Sequence, residues 1–169
     1  MIRSKKLFWV CVLSCIFAAC LLFAGMRISF AETNTDYMER MQDLEFTEVI
    51  DGEEVTIKYR LYIPENYDPS ESYPMITMLH GHGGQGDDNT TSLNVFKPLL
   101  TRLTTLERLE TDPAILLVPQ CRANHKWVNV NTWTGHYSTE MFDISKDLQA
   151  VVDLTDAIMD EYSVDETRQ

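Results

Sequence analysis

The stretch at residues 74–89, PMITMLHGHGGQGDDN, constrains the fold more than any other part of the chain. The apolar run Met75–Leu79 predicts a short buried strand, and four glycines follow it within residues 81–86. Because glycine has no Cβ, such a loop turns sharply and leaves backbone N–H groups open to close approach by a ligand. A strand that runs into this loop, with a helix to follow, favours binding of negative charge at the carboxyl edge of a sheet.

Two segments before this loop predict an antiparallel hairpin. Phe46–Ile50 and Val55–Ile63 flank Asp51-Gly52, a dipeptide that is a strong signal for a two-residue turn. Apolar and polar residues alternate in the second segment, so one face of that strand is expected to be buried. Pro64 is expected to end it.

The residues after the glycines predict a βαβ unit. Pro98 suits the first turn of a helix that runs to Glu110, and Ile115–Val118 follows as a short apolar strand. The residues expected on the buried face of this helix are Leu99, Leu100, Leu103 and Leu106. The order strand–loop–helix–strand implies that Met75–Leu79 and Ile115–Val118 are parallel and joined by a right-handed crossover.

The segment Ile144–Tyr162 predicts the last helix, because its apolar residues recur at helical spacing. Asp143 or Ser145 is expected to cap its start. Asp147 would then lie in the first turn, where a carboxylate interacts favourably with the helix dipole. The other acidic residues of this segment are predicted to form a solvated face.

The long segment Pro119–Phe142 between the second parallel strand and the last helix is expected to be a functional loop. It follows a strand parallel to Met75–Leu79 and therefore leaves the sheet at the same edge as the glycines. Trp127, Trp133 and His136 are accordingly the candidates for lining a substrate cleft. The alternative for the two tryptophans is that they pack the loop onto the core.

The charge of the chain excludes two classes of partner. Four of the 14 basic residues, and none of the 26 acidic residues, precede Glu32, so removal of that segment would change the net charge from −12 to −16. A surface this acidic repels nucleic acid and anionic membranes. We therefore expect no nucleic-acid partner.

Residues 1–31 have the pattern of a targeting segment. Three basic residues precede the apolar run Leu7–Ala24, and Ser29-Phe30-Ala31 places small residues at a cleavage site before Glu32. A signal peptide is predicted, and the alternatives are an uncleaved membrane anchor and lipidation at Cys20. The protein is thus expected to be secreted or located at the extracellular surface, and to contact the membrane only through this segment.

The rest of the chain is predicted to consist of a linker over residues 32–45 and a domain over residues 46–169. Of the four cysteines, only Cys121 lies in this part, so no disulfide framework is expected. No nucleophile-elbow pattern surrounds Cys121, which favours a small, partly buried side chain over a catalytic thiol.

The sequence LHGHGG after a predicted strand resembles the oxyanion loop of the α/β-hydrolase superfamily, the HG-x-G-G element of esterases and lipases. The wider context, residues 60–89 followed by residues 115–127, is similar to secreted carboxylesterases of the polyhydroxybutyrate-depolymerase and feruloyl-esterase type. The resemblance runs from about Glu53 to the C-terminus. It implies an α/β chain that forms the N-terminal portion of an α/β-hydrolase fold, in which an antiparallel hairpin leads into parallel βαβ units.

The resemblance also implies roles for the glycine-rich loop. The oxyanion donor in this loop would be the backbone N–H of His82, with that of Gly83 as the neighbouring candidate, and His80, Gly81 and Gly84 would support the loop. No G-x-S-x-G occurs, and none of the glycines brackets a serine in that pattern. The serine nucleophile, the acid and the histidine of a triad are therefore expected in a C-terminal half supplied by downstream sequence, and the chain by itself is expected to be inactive.

The implied function is hydrolysis of a small-molecule or carbohydrate-linked carboxylic ester without a cofactor. Two alternatives stay open. One is a non-catalytic binding protein on a hydrolase scaffold. The other is a metallo-hydrolase, because His80-x-His82 after a strand resembles the start of an H-x-H-x-D-H zinc-ligand run. Gly84 and Gln85 stand where that run needs its aspartate and third histidine.

Overall fold

The computed structural model describes residues 37–130, 134, 138, 140 and 142–169. Four strands form one sheet in the order β1-β2-β4-β3. The strands are β1 Gln42–Ile50, β2 Glu53–Tyr62, β3 Met75–Thr77 and β4 Ile115–Gln120. The helices are α1 Thr91–Leu103, α2 Leu106–Thr111 and α3 Lys146–Glu161. The predicted targeting segment 1–31 lies outside the described residues.

The predicted hairpin is confirmed. Asp51 and Gly52 have φ values of 53° and 77°, the left-handed conformation that a two-residue turn of this kind requires, and Ile50 pairs with Glu53. Alternate residues of β2 are buried from Val55 onward, as the pattern predicts. β1 begins at Gln42, four residues earlier than predicted and inside the proposed linker. The preceding turn is anchored by the buried side chains of Tyr37 and Met41.

The predicted βαβ arrangement is also confirmed, because β3 and β4 are parallel and α1 and α2 lie between them in sequence. β4 pairs on its other side with β2 in antiparallel fashion. β3 is shorter than expected. It ends at Thr77, and Leu79, which was predicted to be in a buried strand, is 41% exposed.

The predicted start of the first helix is wrong. α1 begins at Thr91, and Pro98 lies in its interior rather than in its first turn. The carboxylate of Asp88 explains the earlier start, because it accepts hydrogen bonds from the backbone N–H groups of Thr90 and Thr91 and from the Thr91 hydroxyl. The helical segment is interrupted after Leu103 and resumes as α2.

The predicted leucine stripe is only partly correct for the same reason. Leu99 and Leu106 are exposed, at 45% and 49%, whereas Leu93 and Leu100 are fully buried. The predicted stripe assumes one continuous helix, and the earlier start and the interruption change which side chains face the sheet.

The last helix is confirmed, and Ser145 is its cap. The Ser145 hydroxyl accepts a hydrogen bond from the backbone N–H of Leu148 at 3.1 Å. Among the apolar residues of this helix, Val152 is 42% exposed, whereas Leu154 and Ile158 are buried. Asp147 occupies the first turn as predicted, and its side chain is buried.

The two faces of the sheet are covered by different helices. On one face, α1 packs through Leu93 and Leu100 against Leu116 and Val118 of β4. On the other face, the α3 residues Leu154 and Ile158 join a cluster that contains the intervening β4 residues, Ile115 and Leu117. Every residue of β4 is buried, as expected for a strand covered on both faces.

The C-terminal segment after α3 runs beside the outer edge of β3. The backbone N–H of Tyr73 donates to the carbonyl oxygen of Ser163 at 2.9 Å, and that of Met75 donates to Arg168 at 3.2 Å. Tyr73 and Val164 form an isolated parallel bridge. In the described part of the chain, no helix is both long and apolar enough to cross a membrane.

Candidate functional site

The candidate site lies where the carboxyl ends of β3 and β4 meet. We call residues 78–90 the glycine loop and residues 121–130 the β4 loop, since each follows one of these parallel strands. The N-terminal end of α3 contributes to the same region, because Asp147 bonds to the β4 loop at Arg122. The carboxyl edge of parallel strands is where ligands bind in open α/β sheets.

His80 links the two loops. Its Nε2 accepts the backbone N–H of Cys121 at 3.0 Å, so Nδ1 carries the proton and donates to the carbonyl oxygen of Gly81 at 2.8 Å. The side chain is buried and both ring nitrogens are engaged. His80 is therefore placed to position the glycine loop and has no free nitrogen for proton transfer.

Two glycines of the loop allow close approach to its supports. A Cβ on Gly84 would lie 2.4 Å from Cγ and 2.5 Å from Nδ1 of the His80 ring, so no other residue fits there without a shift. A Cβ on Gly86 would lie 3.0 Å from Nε2 of Gln120. Gly81, by contrast, has open space at its Cβ position.

The two candidate oxyanion donors differ in their partners. Gly83, with a φ of 97°, donates its backbone N–H to Oε1 of Gln85 within the same loop at 2.7 Å. His82 is exposed, and its backbone N–H has no hydrogen-bond acceptor among the described residues. His82 is thus the donor that is open to a ligand, whereas Gly83 is already engaged.

Gln120 at the end of β4 is a supporting residue that the sequence reading missed. Its Nε2 donates to Oδ1 of Asp88 at 2.9 Å and to the carbonyl oxygen of Gly84 at 3.2 Å, while Oε1 accepts the backbone N–H of Asn89 at 2.7 Å. A buried amide with these three partners fixes the far end of the glycine loop. The one sequence signal was a glutamine at the end of a wholly apolar run.

Asn89 joins the glycine loop to the hairpin. It has a φ of 50°, a conformation that asparagine tolerates better than most residues, and its side chain is buried. Its Nδ2 donates to Oδ1 of Asp43 at 2.6 Å and to the carbonyl oxygen of Tyr59 at 2.8 Å. Arg60 donates to the carbonyl oxygen of Asn89 at 2.9 Å. The loop is therefore tied to β1 and β2 as well as to β4.

Hydrogen bonds lower the pKa of Asp88 below its ordinary range. The donors are the Thr91 hydroxyl, the backbone N–H groups of Thr91 and Thr90, and the side chain of Gln120. These partners are neutral, so the carboxylate is stabilised by hydrogen bonding rather than by a counter-charge.

Asp147 is the centre of a charged cluster below the β4 loop. Its buried carboxylate accepts from Nε and Nη2 of Arg122 at 3.0 and 2.9 Å, and Oδ2 lies 2.9 Å from Nδ1 of His125. Burial opposes ionisation of Asp147, but the hydrogen bonds and charge of Arg122 and the charge of His125 outweigh it and lower the pKa of the carboxyl. Glu53 extends the cluster through Arg122 and Lys146.

Cys121 is fully buried, beyond the partial burial that was predicted. Burial and the neighbouring Asp147 carboxylate raise the pKa of the thiol to about 12. The thiolate is the nucleophilic form of cysteine, so this environment does not favour a catalytic role.

Trp127 connects the β4 loop to the glycine loop. Its indole Nε1–H donates to the carbonyl oxygen of His80 at 2.9 Å, and the two rings are 5.2 Å apart. It also packs against the core cluster that contains Val55 and Val151. The two predicted roles of Trp127, packing the loop onto the core and lining a cleft, are compatible, because its side chain also borders a cavity. Trp133 and His136 lie outside the described residues.

Two cavities adjoin the β4 loop. One, of about 560 Å³, is lined by Trp127, Val128, Asn129, Val130, Ser138, Phe142, Asp143, Ile144, Ser145 and Leu148. The other, of about 480 Å³, contains the charged cluster of Glu53, Arg122, His125, Lys146 and Asp147. They share a wall formed by residues 128–130 and 143–145, where Val128 and Ile144 form an isolated antiparallel bridge.

The geometry of His80 disfavours the zinc alternative. A histidine binds a metal through a ring-nitrogen lone pair, and the Nε2 lone pair of His80 accepts the Cys121 N–H. His82 is exposed while His80 is buried. Within the described ranges, no cluster of three or more histidine, cysteine or acidic side chains is suitable for holding a metal ion.

The solved structures that resemble this chain include that of an esterase. No protein-family model and no curated protein sequence matches the chain. A crystal structure described as that of a thermostable esterase matches with a TM-score of 0.61 and 28% sequence identity. The match covers 77% of this chain and 32% of the esterase, so the chain spans about a third of the length of that protein.

This likeness, together with the sheet of one antiparallel and one parallel pairing around β4, confirms the predicted fold class. The described residues have the architecture of the N-terminal portion of an α/β-hydrolase fold.

Proposed function

We propose that this chain contributes the oxyanion loop of a serine carboxylic ester hydrolase. The observation that carries the proposal is that the backbone N–H of His82, an exposed residue, has no acceptor among the described residues and lies at the carboxyl edge of a sheet whose fold is similar to that of an esterase. In ester hydrolysis the carbonyl oxygen becomes negatively charged as the tetrahedral intermediate forms. The His82 N–H would donate a hydrogen bond to that oxygen.

The surrounding residues would act by position. His80 and Gly84 hold the turn, since the His80 ring bonds to both loops and Gly84 packs directly on that ring. Gly81 accepts at its carbonyl from His80 and from the Gly84 N–H. Gly83 would become a donor only after its hydrogen bond to Gln85 is broken.

The remaining groups of the reaction are proposed to come from outside these 169 residues. The sequence has no G-x-S-x-G, so a serine, an acid and a histidine from a downstream C-terminal half would complete the site. The chain alone would then hydrolyse no ester. We propose a secreted enzyme of the polyhydroxybutyrate-depolymerase or feruloyl-esterase type, acting on a small or carbohydrate-linked ester without a cofactor, with Trp133 and His136 joining Trp127 at the substrate.

The test compares His82→Pro with His82→Ala in the gene product that also carries the nucleophile-bearing sequence. Proline removes the backbone N–H, whereas alanine retains it and removes only an exposed side chain. We expect kcat of His82→Pro to fall by about 100-fold or more, and His82→Ala to stay within about threefold of wild type. Equal activity of the two variants would contradict the assignment of the donor.

Labelling of the same gene product with a fluorophosphonate probe separates the enzyme from a non-catalytic binding protein. A serine hydrolase forms a covalent adduct with this probe through its activated serine. We expect stoichiometric labelling outside residues 1–169. An unlabelled, folded product would favour the binding-protein alternative.

Export is proposed from the targeting pattern of residues 1–31. N-terminal sequencing of the exported protein should start at Glu32. A mature protein that starts at Cys20, or one that keeps Met1 in the membrane fraction, would replace the cleaved signal peptide by a lipoprotein or by an anchor.

A further inference from the structure

The cavity beside Trp127 has an apolar wall that includes exposed side chains outside the core clusters. Val128 and Ile144 are 44% and 49% exposed, yet both line this concave surface together with Trp127 and Leu148. Its volume of about 560 Å³ lies within the range of roughly 300 to 1,000 Å³ that small-molecule sites occupy. Apolar side chains gathered on one exposed concave surface indicate a binding site more than scattered ones do.

Trp127 links the wall of this cavity to the glycine loop. The same indole that lines the cavity donates its N–H to the carbonyl oxygen of His80, two residues before His82. A ligand group in the cavity would therefore contact the side chain that joins the β4 loop to the glycine loop. This adjacency favours a molecule with an apolar part and a carbonyl over a purely apolar one.

The charges near the shared wall favour an uncharged ligand. On the other side of that wall, Arg122 is paired with Asp147 and Lys146 with Glu53, so these cations are already neutralised. The net charge of −12 also disfavours the approach of an anion. A carboxylate would gain little here and would lose its hydration.

We propose that the cavity lined by Trp127, Val128, Val130, Phe142, Ile144 and Leu148 binds the apolar group of an uncharged ester. The identity of the ligand as an ester rests on the proposed function, whereas the binding of an apolar group does not. The ligand class is thus an uncharged ester with a hydrocarbon group of several carbons, rather than an acetyl ester, a free acid or a charged peptide.

The test is a titration of the full chain with methyl hexanoate, methyl acetate and hexanoate, followed by ligand-observed NMR. Because binding is measured directly, it requires no turnover, and the spectra show whether the ester stays intact. Burial of the longer hydrocarbon chain should make methyl hexanoate bind on the order of 100-fold more tightly than methyl acetate. It should bind at least about tenfold more tightly than the hexanoate anion.

Two matched variants locate the bound ester. Ile144→Gln places a polar amide in the cavity wall, and we expect it to weaken methyl hexanoate binding by about tenfold. Val152→Gln makes the same kind of change on α3, at a residue of similar exposure that is absent from the cavity lining, and should leave binding within about twofold. The apolar run at residues 7–24 is common to all three proteins, so any ester bound there cancels in the comparison.

Three outcomes would overturn the proposal. They are equal affinity for methyl acetate and methyl hexanoate, equal weakening by the two variants, and a wild-type dimer that excludes the ester and that Ile144→Gln converts to a monomer. The last result would assign this face to a second copy of the chain. Loss of ester binding leaves the His82 comparison untouched, and failure of the His82 comparison leaves the binding measurement untouched, so the two failures can be told apart.

Discussion

The glycine loop and the β4 loop leave the same edge of the sheet after neighbouring parallel strands, but different interactions fix them. The buried hydrogen bonds of the glycine loop are made by neutral groups, which are the His80 ring, the Gln120 amide and the Asn89 amide. Its bonds that involve the charged side chains of Arg60, Asp43 and Asp88 are partly exposed. The β4 loop is bound by charge, through the buried Asp147 and its partners Arg122 and His125. The hydrogen bond from Trp127 to His80 joins the two.

This difference in bonding should make the two loops respond differently to pH. An N–H donor for an oxyanion needs a fixed position that does not change with pH, and neutral buried hydrogen bonds supply that. A buried ion pair is strong only while both partners are charged, so the β4 loop should respond to acid and to charge removal more than the glycine loop does. The following variants test this distinction.

Asp147→Asn should have the largest effect. It leaves Arg122 and His125 without their carboxylate, and we expect the free energy of unfolding to fall by about 3 kcal/mol, at the low end for a broken buried pair because Arg122 is itself partly exposed. Chemical denaturation would measure this. Asp156→Asn, on the exposed face of the same helix, should change stability by less than about 0.5 kcal/mol. Similar losses in the two variants would show that the charged cluster does not stabilise the β4 loop.

Gly84→Ala should come next and should act on the other loop. Its Cβ would lie within 2.4–2.7 Å of three His80 atoms, and we expect a loss of about 2 kcal/mol from overpacking. Gly81→Ala in the same loop meets nothing within 4 Å and should stay within about 0.5 kcal/mol of wild type. Thermal unfolding of the two variants would compare them. If Gly81→Ala were the more damaging variant, the contact between Gly84 and His80 could not be what holds the loop.

Trp127→Phe should have a smaller effect on stability, and that effect should extend from the β4 loop to the contacts of the glycine loop. The ring packing is largely retained, but the carbonyl oxygen of His80 loses its donor, at an expected loss of about 1 kcal/mol. Hydrogen exchange of the Cys121 amide, which bonds to the His80 ring, should become about fivefold faster. Unchanged exchange at Cys121 would mean that the two loops are independent.

Acid should reduce the contribution of Asp147 to the free energy of unfolding. The pKa of Asp147 in the folded chain is below the ordinary value of 3.8, so its contribution is fully present above that value and is lost as pH falls toward the folded pKa, because the unfolded chain binds the proton first. The stability difference between wild type and Asp147→Asn should stay constant from about pH 7 to about pH 5 and shrink below about pH 4. A difference that grows in acid would contradict this sign.

Local patterns in the sequence were sufficient for the elements that depend on neighbouring residues. Asp51-Gly52 placed the hairpin turn because both positions need a left-handed backbone. Ser145 and the helical spacing after it placed α3. The glycines placed the loop after β3, and the order of strands and helices predicted the parallel pairing. Asp88 and Pro98 gave competing signals for the start of α1. The preference of proline for the first turn of a helix predicted the wrong start, because α1 begins after Asp88 and contains Pro98 in its interior.

The organisation of the site depends on contacts between residues far apart in the chain, and no local pattern encodes those. His80 and Cys121 are 41 positions apart, and Asn89 and Gln120 are 31 apart, yet each pair shares a buried hydrogen bond. The sequence placed Asp147 in the first turn of a helix, and only the packing of α3 against the β4 loop buried it beside Arg122 and His125. Likewise, the resemblance named His82 as the donor and Gly83 as the neighbouring candidate, without a contact that distinguishes them. The folded loop separates them, because the Gln85 side chain reaches the N–H of one and leaves that of the other open.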